Sequence, residues 1–253
     1  MTADTMPTAR LWRAYWMEAK YESLRMLRAP AFAGPFLGLP VLLYLLFAVL
    51  LNGDAVAKDP KTAWFLFMGF SVFGVMGPGM FGFGITIAME REQGLLKLKR
   101  AMPCPPAAPL LAKTLMSMLF VAIIMVTMIA AAPLGHLRLS AGQLLAVSAV
   151  NILGAVPFCA MGLFIGTRCT GKSAPAFVNL AYLPMIYLSG FLIPLPKSML
   201  WVERLSPAFH LDQLALLAVG AAIAGSAIVH LAVLAGVTLA LTGLAVRRLA
   251  RVG

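Results

Sequence analysis

Charge is scarce in this chain. Of its 253 residues only 11% are charged and 61% are hydrophobic, whereas a soluble domain carries roughly 25% charged residues. That shortage excludes an ordinary soluble domain and selects an integral membrane protein. Carboxylates are scarcest, with nine in all: Asp4, Glu18, Glu22, Asp54, Asp59, Glu90, Glu92, Glu203 and Asp212. None falls inside an apolar run long enough to cross a bilayer. Proton- and sodium-coupled transporters place an ionisable group near the midplane to bind the ion, so that machinery is missing, with backbone-coordinated sodium left open. Cysteine is sparse too. Cys104, Cys159 and Cys169 form no C-x-x-C pair, and His136, His210 and His230 have no ligand spacing, which argues against a disulfide framework or a metal site. No nucleophile and base sit together in or beside the runs, which argues against an intramembrane enzyme.

What the chain has in abundance is apolar helix. A bilayer core needs about 20 residues, and six stretches qualify: 30–51, 63–88, 114–134, 144–166, 176–193 and 221–246. The segment before the first run is too long and charged for a signal peptide and lacks a clear cleavage site, so the run is retained. The net charge of +11 sits in short clusters between runs, which fits membrane topology and excludes a sustained nucleic-acid face. With the N-terminus inside, fifteen of the twenty Lys and Arg residues lie on the cytoplasmic side. The positive-inside bias therefore puts both termini in the cytoplasm. The fold read from this pattern is all-α and single-domain over 1–253. Residues 1–29 precede the spans, 30–246 hold six of them, and 247–253 form a cytoplasmic tail.

Two segments read as lying on or in the membrane without crossing it. Trp12, Tyr15, Trp16 and Ala19 recur at helical spacing with Arg13 and Lys20 off that face, the pattern of an amphipathic helix at the cytoplasmic interface. Residues 189–217, "SGFLIPLPKSMLWVERLSPAFHLDQLALL", are too polar and proline-broken for one span and too apolar for an open loop. Short re-entrant helices buried by protein satisfy both conditions. Within the spans, Asn151 and Asn179 can bond helix to helix or line a path. His230, the titratable residue well inside a run, reads as a neutral imidazole bonded to a neighbouring helix.

"GTRCTGKS", residues 166–173, matches the phosphate-loop pattern. That chemistry needs a preceding strand and a nucleotide-binding core, and this segment is a short turn between spans four and five. Arg168 and Lys172 are topology charges.

The longest cytoplasmic connection, 89–113, opens with "MEREQGLLKLKRAMPCPP". It continues span two to Gly94, then forms a short basic helix over 95–101 ended by Pro103. Positive-inside bias explains Lys97, Lys99 and Arg100, but not Glu90, Glu92 or the glycine. Each of these glutamates is expected to meet either a partner protein or a basic residue of the same turn.

Here the chain resembles the permease subunits of ABC-2 type transporters, which end the second span in E-R-E-x-G before a leucine- and arginine-containing turn and Ala-x-Pro. The matching residues are Glu90, Arg91, Glu92, Gly94, Leu96, Lys97, Arg100, Ala101 and Pro103, with Lys113 opening span three. Ser189-Gly190-Phe191, Ile193-Pro194 and Leu205-Ser206-Pro207 match a second stretch after span five. The turn's usual Arg-Leu order appears here as Leu98-Lys99, which leaves the register of any docking leucine open. The resemblance implies that 89–103 is a coupling element receiving the stroke of a separate ATP-binding subunit. Gly190, Pro194 and Pro207 would belong to a re-entrant extracellular part. It also implies that ATP and magnesium sit on that partner, that this chain holds no cofactor and is no enzyme, and that two copies, or one copy and a relative, pair in a bacterial-type plasma membrane. Nucleic acid is not a partner; lipid is. A stand-alone secondary transporter and a non-transporting sensor or scaffold remain as alternatives. Met, Phe and Leu in the spans lean toward a hydrophobic or amphipathic cargo, and the sequence does not name it.

Overall fold

The computed structural model describes residues 8–101, 105, 107–190 and 195–252, and every regular element among them is a helix. Five helices are long and apolar enough to cross a membrane: α2 (Pro30–Leu51), α4 (Pro60–Glu92), α6 (Ala108–Gly135), α7 (Ala141–Gly166) and α11 (Ala227–Val252, apolar to Arg251). Before them lies α1 (Thr8–Leu27). Between them lie α3 (Gly53–Lys58), α5 (Leu95–Ala101), α8 (Ala174–Leu188), α9 (Leu200–Glu203) and α10 (Pro207–Ala218).

Local chemistry sets the ends. Asp59 caps α4, accepting from Lys61 N at 3.1 Å and Thr62 Oγ1 at 3.1 Å, with Pro60 in the first turn where its missing N–H costs nothing. Ser140 and Gln143 form a reciprocal capping box on α7. Inside α4, residues 78–83 are π-wound where Pro78 removes a ladder donor. Ser117 Oγ, reaching in from α6, donates to the carbonyl of Pro78 at 3.1 Å.

α4 is the axis of the bundle. Of its apolar window 78% is buried, against 17% for α2 and 11% for α11, so the last two lie at the periphery. α4 and α7 approach closely because glycines face each other. A Cβ on Gly162 would stand 2.5 Å from the Gly79 carbonyl and 2.9 Å from that of Met80. Small residues let helix backbones come this near.

The boundaries differ from the sequence reading in three places. The fifth run forms α8, only 15 residues and about 22 Å at 1.5 Å per residue; residues 191–194, with Pro194, lie outside the described residues. The last helix starts at Ala227, not at 221, because Gly220 (φ 82°) and Gly225 (φ 93°) hold a loop in left-handed backbone that an Ala-rich sequence disguises. His230 therefore sits in the first turn of α11 rather than deep within it. In α1, Ala19 turns with Glu22 and Met26 toward the protein, while Trp12 and Trp16 are 73% and 70% exposed.

Gly162→Ala drives a methyl into backbone that cannot move aside, and overpacking of this kind costs about 1–3 kcal/mol. Thermal unfolding in detergent is expected to show a lower midpoint for it. Gly236→Ala, where nothing lies within 4 Å of the added carbon, leaves the midpoint in place.

Candidate coupling site

The C-terminal end of α4 carries the Glu-Arg-Glu sequence, and each of the three side chains reaches a different part of the chain. Glu90 is 3% exposed. Its Oε1 receives Lys113 Nζ from α6 at 2.9 Å and Arg25 Nη2 from α1 at 3.1 Å. Glu22 of α1 completes the group, 2.5 Å from Lys113 Nζ and 2.7 Å from Arg25 Nη2. Lys113 is wholly buried, and among the described residues these two carboxylates are what stabilise its charge.

Lys99 of α5 closes the cluster from outside, bonding Glu18 Oε1 at 2.5 Å and lying 4.0 Å from Glu90 Oε2. Burial pulls the Lys99 ammonium down, but the Glu18 bond and the Glu90 and Glu22 charges outweigh it and hold it above its ordinary value. The six residues Glu18, Glu22, Arg25, Glu90, Lys99 and Lys113 carry three charges of each sign. Together they fasten α1, the end of α4, α5 and α6.

Arg91 turns to the other side. Its guanidinium donates to the carbonyls of Thr167 and, at 2.5 Å, of Cys169. Arg248 Nε of α11 shares the Thr167 carbonyl at 2.9 Å. Glu92 Oε2 accepts the Gly171 amide at 2.8 Å. The turn that mimics a phosphate loop is thus gripped by this motif. A helix ending at Gly166 stands where a phosphate loop needs a strand, and the Gly171 amide is already engaged by a carboxylate.

Gly94 follows with φ 73° and open space around a would-be Cβ. What the position requires is left-handed backbone, which ends α4 and turns the chain into α5. Leu96 packs against the apolar cluster that holds Phe83, Ile87, Leu163 and Leu249, seating α5 on the bundle. Lys97 is exposed and Leu98 is 58% exposed, so these two face away from the bundle. The Arg100 side chain and Pro103 lie outside the described residues.

The expectation that Glu90 meets a partner or its own turn thus gives way to a fuller arrangement, with Lys113 and Arg25 as its main partners and Lys99 at the edge. Lys99 is a member of the ion cluster and not a topology charge alone. Sequence reasoning missed Glu18, Glu22 and Arg25. Their signal was available: they lie on one face of a helix at three- and four-residue spacing, but no sequence period says which distant cation they meet.

The remaining sequence candidates separate. Asn151 is fully buried, with Nδ2 donating to Ser71 Oγ at 3.1 Å and to Met125 Sδ at 3.5 Å, and so packs α7 on α4 and α6. Asn179 is exposed on α8. On the other side of the bundle Gly190 (φ 74°) abuts Glu203, and the Ser189 and Ser206 hydroxyls meet at 2.9 Å. Pro207 opens α10, which is buried over most of its length.

Long apolar helices around a buried polar hub at one end define a multi-pass membrane protein. The hub's order of residues places it more narrowly. The chain belongs to the ABC-2 type transporter family, whose family model matches residues 13–218, and it is a membrane permease of that kind. It is similar to a Bacillus subtilis (strain 168) protein named "Putative transport permease YvfS", with 28% identity over 193 residues, 75% of this chain and 78% of that one.

Lys113→Met strands two buried carboxylates beside Arg25, and breaking a buried pair from one side costs about 3–5 kcal/mol. Purified Lys113→Met is expected to unfold well below the native protein on heating, and adding Glu22→Gln and Glu90→Gln should recover much of the loss. An unchanged midpoint for the single variant contradicts this assignment.

Proposed function

We propose that the chain is the membrane subunit of an ATP-driven exporter, moved by a separate ATP-binding subunit that docks on α5. The observation that carries this is the two-sided character of α5. Leu96 and Lys99 tie it to the bundle, while Lys97 and Leu98 face outward with no role in packing. An exposed leucine beside a cation suits a partner groove with an acidic rim, and a helix anchored on one face passes a push to whatever holds it. Through Glu90, Arg91 and Glu92 the push reaches α1, α6, α11 and the turn before α8. ATP and magnesium belong to the partner.

In this reading both termini are cytoplasmic, α1 lies at the inner interface on Trp12 and Trp16, and α8 belongs to a sixth span. The segment 195–218 is the re-entrant outer cap. Two copies pair. Asn179, an amide on an otherwise apolar exposed face with Phe177, Leu180 and Leu183, supports this, because an unpaired amide is costly against lipid and better placed against a second subunit or a pathway. An apolar cargo is supported by a cavity of about 190 Å³ between α2, α4 and α8, lined by Phe36, Leu39, Pro40, Phe73, Phe81 and Tyr182. The setting is a bacterial-type plasma membrane.

The test co-expresses the chain with the ATP-binding subunit of the adjacent reading frame. Lys97→Glu combined with Leu98→Ala should keep membrane abundance and unfolding midpoint but reduce co-purification at least roughly tenfold, as losing a buried interface anchor does. Unchanged co-purification and export overturn the docking assignment. Transport by the chain alone, driven by an ion gradient in vesicles, overturns the ATP-driven reading.

A further inference from the structure

On the side of the bundle away from the coupling site, α10 and α11 meet through two buried imidazoles. His210 Nδ1 lies 2.7 Å from His230 Nδ1, and both residues are under 4% exposed. The other nitrogen of each ring faces a main-chain carbonyl: His210 Nε2 is 2.9 Å from Arg204 O, and His230 Nε2 is 3.0 Å from Ala224 O. A carbonyl only accepts, so both Nε2 atoms carry hydrogen. A neutral imidazole has one N–H, and here it is already committed. Two neutral rings would therefore point lone pairs at each other across 2.7 Å. One further proton converts that repulsion into an N–H···N hydrogen bond of ordinary length.

We propose that His210 and His230 form a proton-binding site, holding one proton between their Nδ1 atoms and so clamping α10 onto α11. A metal ion fits the gap poorly: Zn–N bonds of about 2.0–2.1 Å at a tetrahedral angle separate the nitrogens by roughly 3.3 Å. Among the described residues no group of three or more His, Cys, Asp or Glu is arranged to hold a metal ion. The Phe209 ring lies 5.5 and 6.0 Å from the two imidazoles, in range to favour a cation.

Few other charges face the pair. α7 and α8, which pack on α10, contain no Asp, Glu, Lys, Arg or His. The charges of α4 stand at its two ends, Lys61 on one side and Glu90 to Glu92 on the other, and Arg247, Arg248 and Arg251 stand at the far end of α11. Glu203 and Arg204 precede α10, and Asp212 lies on it. Among the described residues the charged side-chain group of none of these three pairs with either imidazole. Burial pushes the Asp212 carboxyl up to about 7, the Gln213 bond pulls it back, and the Glu203 charge raises it further, so Asp212 needs its own control.

Burial opposes the added charge and the shared hydrogen bond favours it. Separated imidazoles would hold the proton less tightly than the clamped pair. The clamp is therefore favoured at low pH and loosens as pH rises through the pair's titration. The segment it holds is the outer cap of the proposed pathway.

The test uses the full chain in lipid nanodiscs with ¹⁵N-labelled histidine and His136→Asn, so that only the pair reports, whether or not the chain moves a substrate. The expected spectrum shows one cationic and one neutral ring exchanging a shared Nδ1 proton at the acidic end of the folded range, and two neutral rings at its other end. Two neutral rings throughout the folded range overturn the proposal. In a Cys-free background, labelling at Val219→Cys, relative to an exposed Ala222→Cys, should rise roughly tenfold through the same transition, the response to one pKa unit of linkage. The rise should survive Asp212→Asn and vanish in His210→Gln. A flat ratio, or one abolished by Asp212→Asn, removes the clamp. If His210→Gln fails to fold, the native spectrum still decides.

Discussion

Lys113 places an ammonium where there is no solvent exposure, and the arrangement of that end of the bundle follows from its burial. Removing such an ion from water costs several kcal/mol even after relaxation. The cost is offset only if carboxylates come to it, and Glu22 and Glu90 do. To supply Glu90, α4 must run on as helix beyond its apolar window. To supply Glu22, α1 must lie along α6 with its Ala19–Glu22–Met26 edge inward, and that in turn leaves Trp12 and Trp16 outward. Arg25 and Lys99 then balance the acidic partners. α5 is positioned as a consequence, since Lys99 sits on it and Leu96 seats it below.

The two ends of the bundle are joined by different chemistry. At the Lys113 end the links are charged: the six-residue cluster, and Arg91, Glu92 and Arg248 gripping the turn at 167–171. Hydrogen bonds to charged groups contribute roughly 1.5–3 kcal/mol each. At the other end, apart from the histidine pair, the links are neutral: Gln143 to the Val219 carbonyl, Gln213 to the Ala224 amide, and the Ser189–Ser206 pair. Neutral bonds contribute about 0.5–1.5 kcal/mol each. On the proposed function this asymmetry has a direction. The stiff end receives force and moves as a piece, and the weakly bonded end yields.

Much of the membrane architecture was legible in the sequence because it rests on composition and period. The absence of carboxylates from the apolar runs, the runs' lengths and the break at Gly94 all point to helices joined by a charged turn. The ends of α11 and α8 were not legible. Left-handed glycines at 220 and 225 interrupt a stretch that hydropathy reads as continuous, and hydropathy does not register backbone dihedrals. The order of Glu90, Arg91 and Glu92 was visible, but their partners were not. Lys113 and Arg25 lie 23 and 65 residues away along the chain from Glu90, and nothing local specifies a contact that only packing creates. His230 was read correctly as bonding to a neighbouring helix. That its partner is a second imidazole follows only from the loop that brings α11 back onto α10.

The central claim is that the buried cluster makes α1, α5 and the end of α4 one mechanical piece. Spin labels at Tyr21 and Leu95, exposed positions on α1 and α5, measure it directly by pulsed dipolar spectroscopy in lipid. The account predicts one narrow distance that persists when the ATP-binding subunit and nucleotide are added, and a broad distribution in Lys113→Met. A native separation that changes between nucleotide states, with Lys113→Met no broader than the native protein, would contradict it.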